Sequence, residues 1–466
     1  MAPHDGLMVS VSGIRGRVGE ALTPEVVASY AAAFGAWALA KTPGRPVVLG
    51  RDSRVSGPMF HRVAVAALQS VGAHIIDIGL TTTPTCQLAV EDQHAAGGIM
   101  LSASHNPIEW NALKFIGPSG LFLEAREGTE MRALVETGVP RATWDRLGAV
   151  EVDSGAAQRH IDRILQIPFI DAGAIRKRKF KVALDCVRGA GSVIVPQLLQ
   201  QFGCEVTAIH TEPDGRFPRP PEPVAENLGE LERLVAKSGA HLGLAVDPDV
   251  DRLALVSDKG KAIGEDYTLA LASMLVLRHR MGPVVTNLST SLVVQDAVTR
   301  AGSKLTLAPV GEVNVAVRMR ELEAVIGGEG NGGVILSEVH LGRDAPVGIA
   351  LILQLLAETG KSLSALVDEL PRYAIVKDKL DRPKASLDTV YAALRKAFPD
   401  AAVDTQDGLR LAWDDRWLHV RPSGTEHIVR VIAEAPTETD ARALVQRARE
   451  PLEKLDAPAR VGAAAR

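Results

Sequence analysis

Apolar strand-like runs that alternate with longer helix-like segments predict an α/β protein. The expected architecture is three similar α/β/α domains with mixed, mostly parallel sheets, followed by an α+β domain. Three observations carry this expectation. The alternation opens with PVVLGRDSR, an Ala-rich segment after Pro58, HIIDIG and GIMLSASH, restarts at FKVALDCVRGAG, and restarts again at PVVTNLSTS. Each apolar run ends in polar residues, which in a mostly parallel sheet lie at the carboxyl edge where ligands bind. After LVDELPRY the rhythm changes to short strand-like runs, RYAIVKDKL, RLAWDD, RWLHVRPS and HIVRVIAEA, flanked by helices.

In chain order, the expected domains are residues 1–152, 153–257, 258–370 and 371–466. The proline-rich DGRFPRPPEP, residues 214–223, interrupts the second block and reads as a surface loop. A chain of 466 residues is long enough to bury several cores, and its 46% hydrophobic and 23% charged residues are those of a globular protein. With 52 basic against 56 acidic residues the formal net charge is −4, so no global field points to nucleic acid, and an anionic ligand needs a local basic cluster. Cys86, Cys186 and Cys204 lie far apart without metal-type spacing and read as buried thiols in a reducing compartment. No apolar run reaches membrane-spanning length, and the N-terminus lacks a secretory pattern, so a cytoplasmic protein with no membrane or nucleic-acid partner is expected.

Four loops carry residue types suited to chemistry. In GGIMLSASHNPIEWNALKFIG, Ser104 follows a strand and is presented by His105, Asn106 and Pro107; alone, the stretch reads first as a capped polar turn. AVDPDVDRLALVSD sets Asp247, Asp249 and Asp251 two residues apart, so that in extended chain the carboxylates project to one side and favour a hard cation such as Mg²⁺. An EF-hand is excluded, since its sixth position is Arg252 and its twelfth Asp258, leaving a solvated acidic turn as the alternative. IGGEGNGGVIL offers Glu329 and Asn331, which suit sugar hydroxyls, on a glycine-rich turn without a nucleotide fingerprint. HVRPSGTEHIVRV offers Arg421, Ser423, Gly424 and Thr425, a donor set that cradles phosphate, with Arg430 able to turn toward the same anion; a surface turn is the alternative.

Together with SGIRG at Ser12–Gly16 and GRDSR at Gly50–Arg54, these four loops in this order resemble the α-D-phosphohexomutase family over nearly the whole chain. The GEGNGG loop and PVGEVNV at Pro309–Val315 are similar to its archaeal-type branch, whose members are often phosphoglucosamine mutases. The resemblance implies four domains around a central cleft, with Ser104 carried as phosphoserine and one Mg²⁺ ligated by that phosphate and by Asp247, Asp249 and Asp251. It places Arg15, Lys114 and Arg252 around the moving phosphoryl, with Lys114 and His105 as candidates for proton handling. Glu329 and Asn331 would hold the sugar, while Arg421, Ser423, Gly424, Thr425 and Arg430 would hold the idle phosphate. Ser102, within the strand end, would be structural. The implied reaction moves a phosphoryl group between O6 and O1 of a hexose phosphate through a hexose 1,6-bisphosphate, which also serves as activator.

Glucosamine phosphate is the first-choice substrate, with mannose and glucose phosphates as alternatives, and the expected assembly is a monomer or homodimer. A catalytically silent sugar-phosphate-binding protein on the same fold is the reading from another class. Two departures stand out. Many bacterial members carry Ser and His where this chain has Asn331 and Gly333, which implies one lost cation in the sugar loop, and His427 stands where the phosphate loop usually has Pro.

Overall fold

The computed structural model describes residues 6–422 and 428–456. The first domain is a seven-stranded mixed sheet. Its parallel part, Gly97–Leu101, Val47–Arg51, Ile75–Leu80 and Val150–Val152, is extended by three antiparallel strands, Trp110–Ile116, Gly13–Arg17 and Met8–Val9. The next two sheets have four strands each. Leu242–Val246 runs parallel to Lys181–Asp185 and antiparallel to Leu253–Ser257, and Ile326–Glu329 runs parallel to Val284–Asn287 and antiparallel to Gly333–Leu336. The last sheet is five-stranded and antiparallel throughout.

This topology gives the four chemical loops one common position. Each joins a strand to an antiparallel return strand, a short connection that brings polar residues to the sheet edge without a crossover helix. The serine loop joins Gly97–Leu101 to Trp110–Ile116, and the aspartate loop joins Leu242–Val246 to Leu253–Ser257. The sugar loop joins Ile326–Glu329 to Gly333–Leu336, and the fourth loop joins Trp417–Pro422 to Ile428–Ala435.

The first and last sheets have their own apolar cores, but the second and third share one. The helix Ala345–Thr359 explains this. Its first twelve residues, APVGIALILQLL, are all buried, so it presents apolar side chains to both sheets at once instead of a single stripe. Asp344 caps it by accepting from Val347 N at 2.9 Å.

Two expectations are corrected. Residues 214–223 do not simply cover a surface: Gly215 lies against the backbone of Ser53, the Phe217 ring stacks under the Arg54 guanidinium at 5.0 Å, and Glu222 reaches Arg252. Prolines suit this buttress because they bring no backbone N–H that would need a partner. Cys86 and Cys186 are buried, whereas Cys204 is only half-buried, and all three are free thiols. Among the described residues, no helix is long and apolar enough to cross a membrane.

Candidate active site

Ser104 occupies the left-handed region at φ 47°, a conformation uncommon for a residue with a Cβ and found where surrounding contacts enforce it. Arg54 supplies that enforcement. Its fully buried guanidinium donates to the carbonyls of Ser104 (2.6 Å), Asn106 (2.7 Å), Pro107 (2.7 Å) and Trp110 (2.8 Å), and pairs with Asp52 at 3.2 Å. Ser102 Oγ donates to Asp52 at 2.7 Å and accepts from Ser104 N at 2.9 Å, a supporting position within the loop. So anchored, the Ser104 hydroxyl donates to Asp247 Oδ2 at 2.7 Å, and His105 Nδ1 lies 3.4 Å from Ser104 Oγ.

Asp247, Asp249 and Asp251 converge with no exposed surface, each offering an oxygen within 4.8 Å of the others. They converge through a tight turn and not through the extended alternation expected from their spacing. Val250 takes φ 65°, and Asp247 Oδ1 accepts from the backbone N–H groups of Asp251 (3.1 Å) and Arg252 (3.2 Å). A β-branched residue there is a true outlier, which marks the turn as imposed by its surroundings. Asp249 Oδ1 and Asp251 Oδ1 are buried without a hydrogen-bond partner. Buried acceptors are almost always satisfied, so two orphans on adjacent carboxylates fit a hard divalent cation with oxygen ligands.

The cations around this turn are positioned by carboxylates. Lys114, on the return strand, reaches Asp249 at 2.6 Å and Asp251 at 3.8 Å, and Thr83 also donates to Asp249. Burial alone would depress the Lys114 ammonium, but Asp249 and Asp251 carry it above its ordinary value. For Asp249, burial opposes ionisation, yet Lys114 holds the carboxyl below the usual carboxylate range. Asp247 is pushed well up by burial and by its two acidic neighbours. His105 is driven well below its ordinary value by burial, then by Arg252, Arg15 and Arg343, so its imidazole is neutral near pH 7. Arg15 donates to Asn106 Oδ1 at 3.0 Å, and Arg252 to Glu222 at 3.0 Å.

The sugar loop meets the same centre. Glu329 Oε1 accepts from Asn287 Nδ2 (2.7 Å) and Gly311 N (2.9 Å), while Oε2 accepts from Arg343 Nη1 at 2.7 Å. A carboxylate has about four acceptor sites, so one remains for a ligand hydroxyl. Asn331 Oδ1 accepts from Gly333 N at 3.2 Å and shapes the turn. Arg343, 8% exposed, also donates to Asp251 Oδ2 at 2.5 Å and to Glu312 at 3.1 Å. One guanidinium thus links the aspartate turn, the sugar loop and the 310–314 segment. The loop itself carries no cation, and one reaches it from residue 343.

From the last domain, Arg421 Nε lies 3.0 Å from Asp407, whose Oδ2 also accepts from Val310 N at 3.1 Å. Ser423, Gly424, Thr425 and His427 lie outside the described residues. A cavity of about 620 Å³ is lined from all four domains, by Arg15, Ser104, Arg252, Asn331, Arg421 and Arg430 among others. That is the size of a small-molecule site. The sequence reading missed Arg343, Asn287 and Asp407, and quoted Glu312, within PVGEVNV, and Arg54, within GRDSR, without a role for either side chain. A signal existed for Arg343: the charged pair in LGRDAPVG stands between two apolar runs where loop and helix cap alone would not need arginine.

Family models for phosphoglucomutase/phosphomannomutase match the chain in sequence order. Its α/β/α domains I, II and III match residues 7–141, 158–260 and 264–373, and its C-terminal domain matches residues 375–450. A probable phosphoglucosamine mutase of Methanopyrus kandleri is 37% identical over 445 residues, covering 94% of this chain and 96% of that protein. A phosphoglucomutase/phosphomannomutase of Thermococcus kodakarensis is 38% identical over 447 residues, with the same coverage of 94% and 96%. Among solved structures, a phosphoglucomutase/phosphomannomutase family protein from Burkholderia thailandensis superposes with a TM-score of 0.83 at 25% identity, covering 96% of this chain and 98% of that one.

Proposed function

The chain belongs to the phosphoglucomutase/phosphomannomutase family, and on that premise we propose that it moves a phosphoryl group between O6 and O1 of a hexose phosphate through a phosphoserine on Ser104. The observation that carries this reading is the Ser104 hydroxyl, 2.7 Å from Asp247, beside two buried carboxylate oxygens without partners and facing a cavity rimmed by arginines. It is an isomerase of the phosphohexomutase class. Glucosamine 6-phosphate to glucosamine 1-phosphate is the preferred conversion, supported by the Methanopyrus relative, with mannose and glucose phosphates as the alternative supported by the Thermococcus relative.

Ser104, Asp247, Asp249 and Asp251 would hold Mg²⁺, which when bound supplies positive charge against the phosphoryl oxygens. The chain's own residues do the rest. In the forward half-reaction a sugar hydroxyl oxygen bonds to phosphorus, the Ser104 Oγ–phosphorus bond breaks, the hydroxyl loses its proton and Oγ gains one. The neutral imidazole of His105, 3.4 Å from Oγ, is placed to take part in that exchange. Lys114, held protonated, and Arg15 and Arg252 neutralise charge spread over the moving group. Glu329 accepts one sugar hydroxyl, while Arg421 and Arg430, with Ser423, Gly424 and Thr425, grip the phosphate that is not reacting. The bisphosphate turns over within the cavity and the second half-reaction returns a phosphoryl to Ser104.

The test is a coupled assay with Mg²⁺ and a trace of hexose 1,6-bisphosphate, comparing kcat/KM for the three hexose phosphates. Glucosamine phosphate is expected to lead. Inactivity on all three sinks the proposal, and an intact mass showing no phosphate on Ser104 after incubation with the bisphosphate removes the phosphoserine from it.

A further inference from the structure

We propose that Arg343 is a positioning residue of the sugar site, carrying into it the cation that the sugar loop itself lacks, and that residue 333 is glycine because the arginine stem passes there. The inference rests on the sugar-phosphate reading above and adds a residue to it.

The geometry is specific. A Cβ built on Gly333 falls 2.3 Å from Arg343 Cδ and 3.0 Å from Cγ, so no side chain fits at 333 while the arginine keeps its path. One bond beyond that Cδ the planar guanidinium begins, and one bond beyond a Cβ at 333 an imidazole would begin. The two planar cations therefore compete for one volume, and the chain fills it from residue 343.

The occupant matters because of what surrounds it. Glu329, Glu312 and Asp251 are 4%, 8% and 0% exposed, and Arg343 donates to all three. Buried carboxylates need a paired cation, and a forked guanidinium can bond three acceptors at fixed angles where an ammonium is a single point charge. Burial would raise the Glu329 carboxyl, but Arg343, Asn287 and the Gly311 N–H hold it below its ordinary value, ready to accept a sugar hydroxyl. Asp251 keeps Oδ2 on Arg343, which leaves Oδ1 as its open oxygen. Arg343 thus sets the sugar acceptor and the aspartate turn at once, without touching the phosphoryl.

The experiment is a swap. Arg343→Ala and Gly333→His are each made alone and then together, and kcat, KM and thermal unfolding are measured at pH 6, where a histidine facing carboxylates is charged. Each single variant is expected to lose on the order of tenfold to hundredfold in kcat/KM, the first by losing the cation and the second by collision with the arginine. The double variant is expected to recover at least about tenfold over the worse single variant, mainly through KM, and to unfold at a higher temperature than Arg343→Ala. A double variant no better than the worse single variant in both readouts overturns the proposal. Arg343→Lys, which keeps charge and bulk, is the check against simple misfolding: it is expected to fold normally yet raise KM more than it lowers kcat, and an unchanged KM counts against the role. The unfolding comparison needs no substrate, so a protein inactive on every hexose phosphate defeats the proposed function while leaving the swap decisive.

Discussion

The two ends of the cavity solve opposite electrostatic problems. At the end built by the first two domains and the sugar loop, five carboxylates gather: Asp247, Asp249, Asp251, Glu312 and Glu329 are all buried. The cations that touch them, Lys114, Arg343 and, at 3.8 Å, Arg252, come already paired, and two carboxylate oxygens still have no hydrogen-bond partner. At the other end the last domain lines the cavity with Lys377, Arg421 and Arg430, and Asp407 is the carboxylate beside Arg421. An acidic, rigidly bonded end suits a divalent cation and the group being transferred. A basic end suits a dianion that is held but never reacts, and such a site serves equally well whichever end of a bisphosphate enters it.

Ser104→Ala breaks the comparison most directly, because it removes the side-chain oxygen expected to bond to phosphorus. Turnover is expected to fall by about a thousandfold or more with the thermal unfolding curve unchanged, as a lost nucleophile requires. Undiminished steady-state activity removes serine from the mechanism.

Asp249→Asn comes next. It keeps the shape of the turn but takes away the charge that holds Lys114 and one of the two unpartnered oxygens. Mg²⁺ affinity and rate are each expected to fall by about tenfold to hundredfold, the scale for a disturbed metal site. A Mg²⁺ titration identical to that of the unaltered protein refutes the assignment of Asp249 as a ligand.

The contrast between the two ends was only partly legible in the sequence. All four loops could be found, because each ends an apolar run in residues an ordinary turn does not need. Their common hairpin geometry was hidden, since WNALKFI, LALVS and GVIL read as strands whose direction periodicity cannot report. The aspartate turn was misread as extended for a related reason: alternation by two is the simplest way to align carboxylates, and nothing in DPDVD announces a left-handed valine. Arg343 escaped because its three partners lie 14, 31 and 92 residues away in three separate segments, so its role exists only after folding. The core shared by the second and third sheets escaped too, because APVGIALILQLL shows burial on every side without showing against what.

Arg421→Ala sharpens the comparison at the basic end. A hydrogen bond to a charged group is worth about 1.5–3 kcal/mol, so KM is expected to rise by roughly tenfold to a hundredfold with kcat little changed. The split is the informative part. If the basic end only holds the idle phosphate, the loss falls on binding; a loss confined to kcat places Arg421 among the groups that act on the moving phosphoryl and dissolves the distinction between the ends.

The smallest effect lies beneath the sugar loop, where an acid is handled differently again. Asp266 is half-buried against Gly330 of the sugar loop and accepts from Ser291 N at 2.9 Å; among the described hydrogen bonds and ion pairs no cation pairs with it, and Lys377 acts on it only at longer range. Burial pushes its carboxyl up to about 8, with Glu434 and Glu265 adding to the rise. Between the unfolded value of 3.8 and about 8 the folded protein binds one proton more than the unfolded chain at this site. Stability from this group is therefore full below the lower value and is lost as pH rises through the upper one. Asp266→Asn keeps an acceptor for Ser291 N and removes the proton. The variant is expected to flatten the fall in Tm between pH 6 and 8.5 and to unfold about 2–4 °C higher than the unaltered protein at pH 8.5, the shift that roughly 1 kcal/mol produces in a domain of 150–250 residues. An unchanged slope means that Asp266 is ionised across this range, and that the acid beneath the sugar loop is balanced by charge, as the five carboxylates in the cavity are, instead of being kept protonated.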